Sequence, residues 1–322
     1  MINSEKEKVF GWGLNVFSKS KVIKPRSTQE LRNFFLETDK SKIHGISCGK
    51  RYSYGDVFLN DDGIIIDNSN LDEILEWDNQ KGIIKCESGV SFQKILKVTF
   101  KDEWILPVIP GSRYVTIGGA ISNNVHGKNN YKFGSFGSWI CSFEILLANG
   151  KILKCSKSQN VELFNNVIGG IGLLGIILNI EIQLVPTKSK SVLVKKWTVN
   201  NLESMLSNII DAAKKYDYVI GQIDTFSTKK NLGRGTIHAA NFFGEKIEKQ
   251  YQFEKDLKGN SFFLNLLLNK FLFISKFLKN KFIFKYISAT KYYFDYLENK
   301  VNKRNEEVQS FPKFNFFLDR VH

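Results

Sequence analysis

Two glycine-bearing stretches concentrate the groups best suited to holding an anion. The first, Ser47-Cys-Gly-Lys-Arg-Tyr-Ser-Tyr-Gly-Asp56, carries Gly49 and Gly55, hydroxyls around Ser53 and the cations Lys50 and Arg51. The second, from Pro110 to Lys128, packs Gly111, Gly118, Gly119 and Gly127 around Ser112, Thr116 and Ser122. Glycine lets successive backbone N–H groups turn toward one point and admits a bulky ligand close to the chain. Hydroxyls add donors for phosphate oxygens. Taken alone, either stretch reads equally well as a turn between strands; together they fit two loops bracketing one diphosphate. A third stretch, Gly170-Ile-Gly172-Leu-Leu-Gly175, spells the dinucleotide fingerprint but in the wrong context. That fingerprint needs a strand before it and a helix after it. Here helix-like Val161 to Ile168 comes first and strand-like Ile176 to Val185 follows, with Lys195 and Lys196 where an acidic ribose ligand belongs. It reads as a helix-to-strand turn.

The elements that must position these loops are short. Ile43 to Cys48, Ile64 to Asp67 and Ile83 to Cys86 are isoleucine-rich and bounded by Gly or Asn, the pattern of strands. Phe92, Ile95, Leu96 and Thr99 recur at helical spacing after Ser91, a suitable N-cap. Asn149-Gly150 between Phe143–Ala148 and Lys151–Lys154 predicts a hairpin with a two-residue primed turn. A helix is predicted over about 160–168, then a long strand from Ile176 to Val185 ended by Pro186. A polar, lysine-bearing stretch after it sets a domain boundary near 187, giving domains 1–187 and 188–322.

The 322-residue chain has the apolar and charged fractions of a globular protein, 43% and 24%. Its formal charge of +14 favours an anionic contact such as cofactor phosphate or anionic lipid. No nucleic-acid-binding signature accompanies the charge, so nucleic acid is not an expected partner. Cys48, Cys86, Cys141 and Cys155 match neither a metal site nor a redox pair; no metal is expected, and buried thiols point to a reducing, cytoplasmic compartment. The N-terminal residues lack the apolar core of a signal peptide. Ser261 to Ile287 is apolar apart from Asn, Ser and five lysines. Two readings stand: a basic amphipathic helix lying on an anionic membrane surface, here the inner face, or core helices whose lysines snorkel to water.

Tyr52-Ser-Tyr-Gly-Asp56, Pro110-Gly-Ser-Arg-Tyr-Val-Thr-Ile-Gly-Gly-Ala120, His126-Gly-Lys-Asn129 and Gly134-Ser-Phe-Gly137 together resemble the PCMH-type FAD-binding domain of the vanillyl-alcohol-oxidase class of flavoproteins. Within that class the similarity is greatest to the decaprenylphosphoryl-ribose 2-oxidase group. Aldonolactone and alditol oxidases are more distant. The similarity runs from Gly11-Trp-Gly13 to Thr187 and weakens beyond.

The resemblance implies an α+β fold: a two-subdomain FAD domain followed by an incomplete α+β substrate, or cap, domain. It implies FAD as cofactor, with Ser47, Gly49, Lys50, Arg51, Ser53, Tyr54 and Gly55 at its pyrophosphate. Gly111, Ser112, Thr116, Ile117, Gly118, Gly119 and Ser122 would join them. Asn123, Val125, His126 and Gly127 would lie along the isoalloxazine, and the backbone of Ile176 or Ile177 would meet the far end of the cofactor. Tyr54, His126 and Lys128 would face the substrate. From the residues alone, His126 after an apolar run reads more readily as a structural histidine, and Lys128 equally as an ordinary solvated lysine. The implied reaction oxidises a secondary hydroxyl of a sugar or sugar-phosphate-lipid by hydride transfer to flavin N5, while a protein group accepts the hydroxyl proton. The electron acceptor is left unassigned. Alternatives are an aldonolactone or alditol oxidase with a soluble substrate, or a flavin-binding subunit. The sequence departs from the family twice. Arg51 stands where a second glycine is usual, which should restrict the first loop and shift its pyrophosphate contact. Phe314-Asn-Phe-Phe-Leu-Asp319 resembles the family's Phe-x-x-Pro-Leu-Asp with Phe317 for Pro, and relatives continue beyond it with a base lysine and another flavin contact. The resemblance thus implies a C-terminally shortened chain; a partner reductase, or a separate chain that carries the missing segment, is the alternative reading.

Overall fold

The computed structural model describes residues 4–38, 44–187, 189–242, 288–293, 295–297, 306–311 and 314. The Ser261–Ile287 segment lies outside them, as does all of the Phe314–Asp319 segment except Phe314. The chain forms two compact units, Met1–Thr187 and Lys188–His322.

The first unit is α+β and holds two main sheets. In one, β1 (Ser4–Phe10) pairs antiparallel with β2 (Phe17–Ile23), and β4 (Ile64–Asp67) lies parallel between β2 and β3 (Gly45–Cys48). Every residue of β4 is buried, as the unbroken Ile-Ile-Ile run requires of a strand covered on both faces. Ile64 and Ile66 face the helix α1 (Thr28–Glu37) through Leu31 and Phe35; Ile65 packs the other way, on Val9, Val22, Cys48 and Phe58. Burial of each such side chain contributes about 1.5–3 kcal/mol. The end of β4 is therefore a rigid platform.

The second sheet is antiparallel, in the order β5 (Ile74–Asp78), β6 (Ile83–Glu87), β10 (Ile176–Gln183), β8 (Ile140–Leu146), β9 (Ile152–Ser156). Leu146, Ile176 and Leu178 from it complete the cluster under α1, welding the two sheets together. α2 (Phe92–Thr99) begins where its spacing predicts, and the Ser91 hydroxyl accepts from the Lys94 N–H at 3.2 Å.

Two local expectations are corrected. The β8–β9 hairpin exists, but its turn is not a two-residue primed one. Gly150 N–H bonds Leu147 O, Leu147 N–H bonds Lys151 O, and only Gly150 (φ +81°) is left-handed. This is a three-residue loop, a type I turn followed by a left-handed glycine. The strand from Ile176 also stops earlier, at Gln183. Val185–Pro186 forms a separate β11 beside β7 (Trp104–Ile105), so Pro186 is paired rather than a terminator.

The second unit is a four-stranded antiparallel sheet, β13 (Tyr218–Ile223), β14 (Gly235–Phe242), β12 (Ser191–Val199), β15 (Glu306–Ser310). α5 (Leu202–Lys215), started by the Asn201/Ser204 capping box, packs Met205 and Ile209 on Val199, Val219 and Ile237. A buried ion pair ties the start of the β13–β14 connection: Asp224 Oδ2 accepts from Arg234 Nη2 at 2.9 Å and Asp224 Oδ1 from Ser288 Oγ at 2.6 Å. No described helix is long and apolar enough to cross a membrane.

Candidate FAD-binding site

The first glycine stretch leaves the buried end of β3 and the second runs into α3 (Ile117–Ser122), whose N-cap is Thr116. They meet at one point. A Cβ built on Gly49 would lie 2.1 Å from Thr116 Oγ1 and 3.0 Å from Thr116 Cγ2, so only glycine permits this approach. A second bridge is the stacking of Tyr52 on Tyr114, centroids 6.1 Å apart. The loop pair expected from sequence is thus one structure in space.

The two loops supply different things. Among the described residues, nothing accepts from the backbone N–H groups of Gly49, Lys50, Ser53 and Gly55, leaving a run of donors in an exposed turn. In the second loop the amides are used internally: Ile117 N–H bonds Val90 O, Gly118 N–H bonds Ser88 O, and Gly119 N–H bonds Thr116 Oγ1. Gly118 serves close approach instead, since a Cβ there would stand 2.8 Å from Ser88 Cβ. The buried Ser88 hydroxyl beside it makes no hydrogen bond among the described residues. Open amides, hydroxyls, the exposed Lys50 and a glycine-only junction are a donor set that fits a diphosphate.

The His126–Lys128 segment is anchored from below. Asn129, buried, donates from Nδ2 to Pro107 O at 2.7 Å, and Gly127 is pressed against Ile109. His126 is exposed and forms an isolated bridge with Ser135; Phe136 N–H bonds Val125 O; Lys128 is half-buried. Asn123 is exposed, donating from Nδ2 to Gly119 O at 2.9 Å. Gly111 is half-buried, Ser112 buried. Tyr54 is 67% exposed and meets Trp12 edge-on at 4.8 Å. Ile176 and Ile177 are buried, in register with Leu146 and Ile145.

Three features escaped the sequence reading. The Gly170–Gly175 turn is a helix-to-strand turn between α4 (Val161–Val167) and β10, as expected, but it also borders the site. Ile171 N–H bonds Ser122 O, Gly169 N–H bonds Ile121 O, and Gly172 comes up to Ser47. Its glycine count was the available signal; its place against α3 was not. Asn124 at φ +41° accepts from Gly137 N–H at 3.0 Å, joining the Gly134–Gly137 motif to the end of α3. The third concerns Arg51. Instead of restricting the loop, Arg51 takes the left-handed backbone itself, φ +63°, so the departure from glycine keeps a glycine-like turn. Its guanidinium pairs with Asp67 Oδ2 at 3.1 Å.

Residues 20–156 match the family model described as FAD binding domain, and the first unit carries a PCMH-type FAD-binding domain whose cofactor is FAD. Among curated proteins, the chain is 29% identical over 279 residues to decaprenylphosphoryl-beta-D-ribose oxidase of Mycolicibacterium smegmatis, covering 83% of this chain and 61% of that protein. It is 30% identical over 148 residues to the Delta(24)-sterol reductase of Rattus norvegicus, 46% of this chain and 28% of the relative. It is 27% identical over 196 residues to L-gulonolactone oxidase of Bos taurus, 61% of this chain and 43% of the relative. The chain thus spans about three-fifths or less of the length of these relatives.

Proposed function

We propose that this chain is the FAD-holding part of an oxidoreductase that oxidises a secondary hydroxyl of a sugar, with a polyprenyl-phosphate pentose as the leading substrate class. The observation that carries the flavin reading is the junction of the two glycine loops at Gly49 and Thr116, with unpaired amides beside it. The substrate class is supported by the similarity to decaprenylphosphoryl-beta-D-ribose oxidase, which extends over 83% of the chain and so beyond the FAD domain. Bound FAD supplies the two-electron acceptor for the hydride.

The chain's own residues bind, orient and move protons. Gly49, Lys50, Ser53 and Gly55 hold the diphosphate through N–H, hydroxyl and ammonium donors, while Thr116 and Gly118 fix the depth of the second loop. Asn129 and Gly127 pin the segment bearing His126. His126 accepts or shares the substrate hydroxyl proton, Tyr54 closes the exposed side, and Lys128 meets substrate phosphate. Purified full chain tests this directly. A flavin absorbance that survives gel filtration, and bleaches anaerobically with a polyprenyl-phosphate pentose but not with a free sugar acid lactone, is the expected result. Bleaching by aldonolactones alone supports the second reading, for which the L-gulonolactone oxidase similarity speaks. Colourless protein that takes up no added FAD removes both.

A further inference from the structure

The first glycine loop contains two cations, and the structure treats them differently. Lys50 is exposed at the turn. Arg51 folds back beneath it. Its Nη2 lies 3.1 Å from Asp67 Oδ2, with side-chain exposures of 27% and 8%. Asp67 is the last residue of the fully buried strand β4, in register with Cys48, and its Oδ1 accepts from Ser69 N–H at 3.0 Å. The carboxylate is therefore fixed on both oxygens. The residue that reaches it has a backbone of φ +63°, a conformation that a side chain disfavours and that persists only where the surroundings impose it.

Resting on the FAD reading above, we infer that Arg51 is a positioning residue: its ion pair with Asp67 clamps the glycine loop to the end of β4 in the conformation that presents the Gly49–Gly55 amides, and it does not itself hold cofactor phosphate. In this chain a side-chain tether does what a second glycine does by conformational permissiveness. The difference has a consequence. A glycine only permits the left-handed turn, whereas the clamp selects it before the cofactor arrives, so loosening the clamp lowers the fraction of binding-competent protein and raises the apparent Kd in proportion.

The test uses the full-length chain stripped of FAD, with Arg51→Gly, Arg51→Lys, Asp67→Asn and the Arg51→Gly/Asp67→Asn pair. Two readouts are taken: FAD titration by flavin fluorescence, and deuterium uptake of the 47–56 peptide in the FAD-free state. Arg51→Gly and Asp67→Asn should each weaken FAD binding about tenfold or more, although Arg51→Gly relieves the backbone. The pair should be no weaker than the worse single variant, with Arg51→Lys in between, and uptake in 47–56 should rise in both singles. If Asp67→Asn leaves affinity unchanged or tightens it, Arg51 contacts the diphosphate directly and the clamp is wrong. Additive losses or unchanged uptake overturn it equally. Should the wild-type chain bind no FAD, the functional reading fails by itself, and deuterium uptake still decides on the clamp.

Discussion

Replacing Gly49 by Ala puts a methyl group where the two loops touch. The added carbon would stand 2.1 Å from Thr116 Oγ1, while ordinary van der Waals contact begins at 3.4 Å. The loops must then part by about 1.3 Å, or Thr116 must leave a position in which it caps α3 through the Gly119 N–H at 3.3 Å. Overpacking of this kind costs about 1–3 kcal/mol. If it is relieved by spreading the loops, FAD affinity falls roughly 5- to 150-fold, since each 1.4 kcal/mol is a factor of ten. The assay is titration of FAD-free protein with FAD, beside thermal unfolding of the same samples. Thr116→Ala costs about 0.5–2 kcal/mol through the lost cap, yet it also removes the clashing oxygen. The double variant must therefore lose less than the two singles combined. Gly55→Ala is the control for stability, because a Cβ there meets only Val57 Cγ1 at 3.9 Å. Wild-type FAD affinity in Gly49→Ala, or strict additivity with Thr116→Ala, would refute the convergence of the loops.

Other outcomes follow from local chemistry. Ser91→Ala should destabilise the first unit by about 0.5–2 kcal/mol through loss of the α2 cap, read as a lowered urea midpoint. Burial, and next the Asp67 carboxylate, push the Cys48 thiol up to about 12. It should therefore resist thiol-reactive dye in the native protein at pH 8 and react once guanidinium unfolds it; rapid native labelling mapped to Cys48 would contradict this. Burial works to raise the Asp224 carboxyl, but hydrogen bonds from Ser288 and Arg234 outweigh it and hold the group below the usual Asp range. A depressed native value means stability that is present above about pH 4, the ordinary Asp range, and lost as pH falls through the lower native value. Asp224→Asn should flatten that acid limb and, by leaving Arg234 unpaired, cost the second unit about 3–5 kcal/mol at pH 7. An unchanged acid limb in the variant would assign the transition elsewhere.

What was legible in the sequence was whatever a few neighbouring residues decide. The isoleucine run of β4 and the Ser91-capped helical spacing of α2 carry their own signals, and the glycine stretches announced a close approach. What was not legible depended on partners distant in the chain. Arg51 read as a restriction because Asp67 was not known to lie beneath it. The Gly170–Gly175 turn read as mere connection because its bonds go to Ile121 and Ser122, about fifty residues earlier. Asn149-Gly150 misled for a subtler reason. One further residue in the loop moves the left-handed demand onto Gly150 alone, and spacing cannot count that residue without knowing the strand register.

The order of strands in the second unit also bears on how the chain is made. β12 lies between β14 and β15, and Lys195 pairs with Glu306 across 111 positions of sequence. On a ribosome adding about 5–20 residues per second, one side of β12 stays open for roughly 5–20 seconds after the strand emerges. Lys195 and Lys196 are borne on that waiting strand, where charge discourages pairing with a neighbouring nascent chain. A ribosome stall between β14 and β15 would then expose an unfinished sheet beside a first unit whose own strands are already complete.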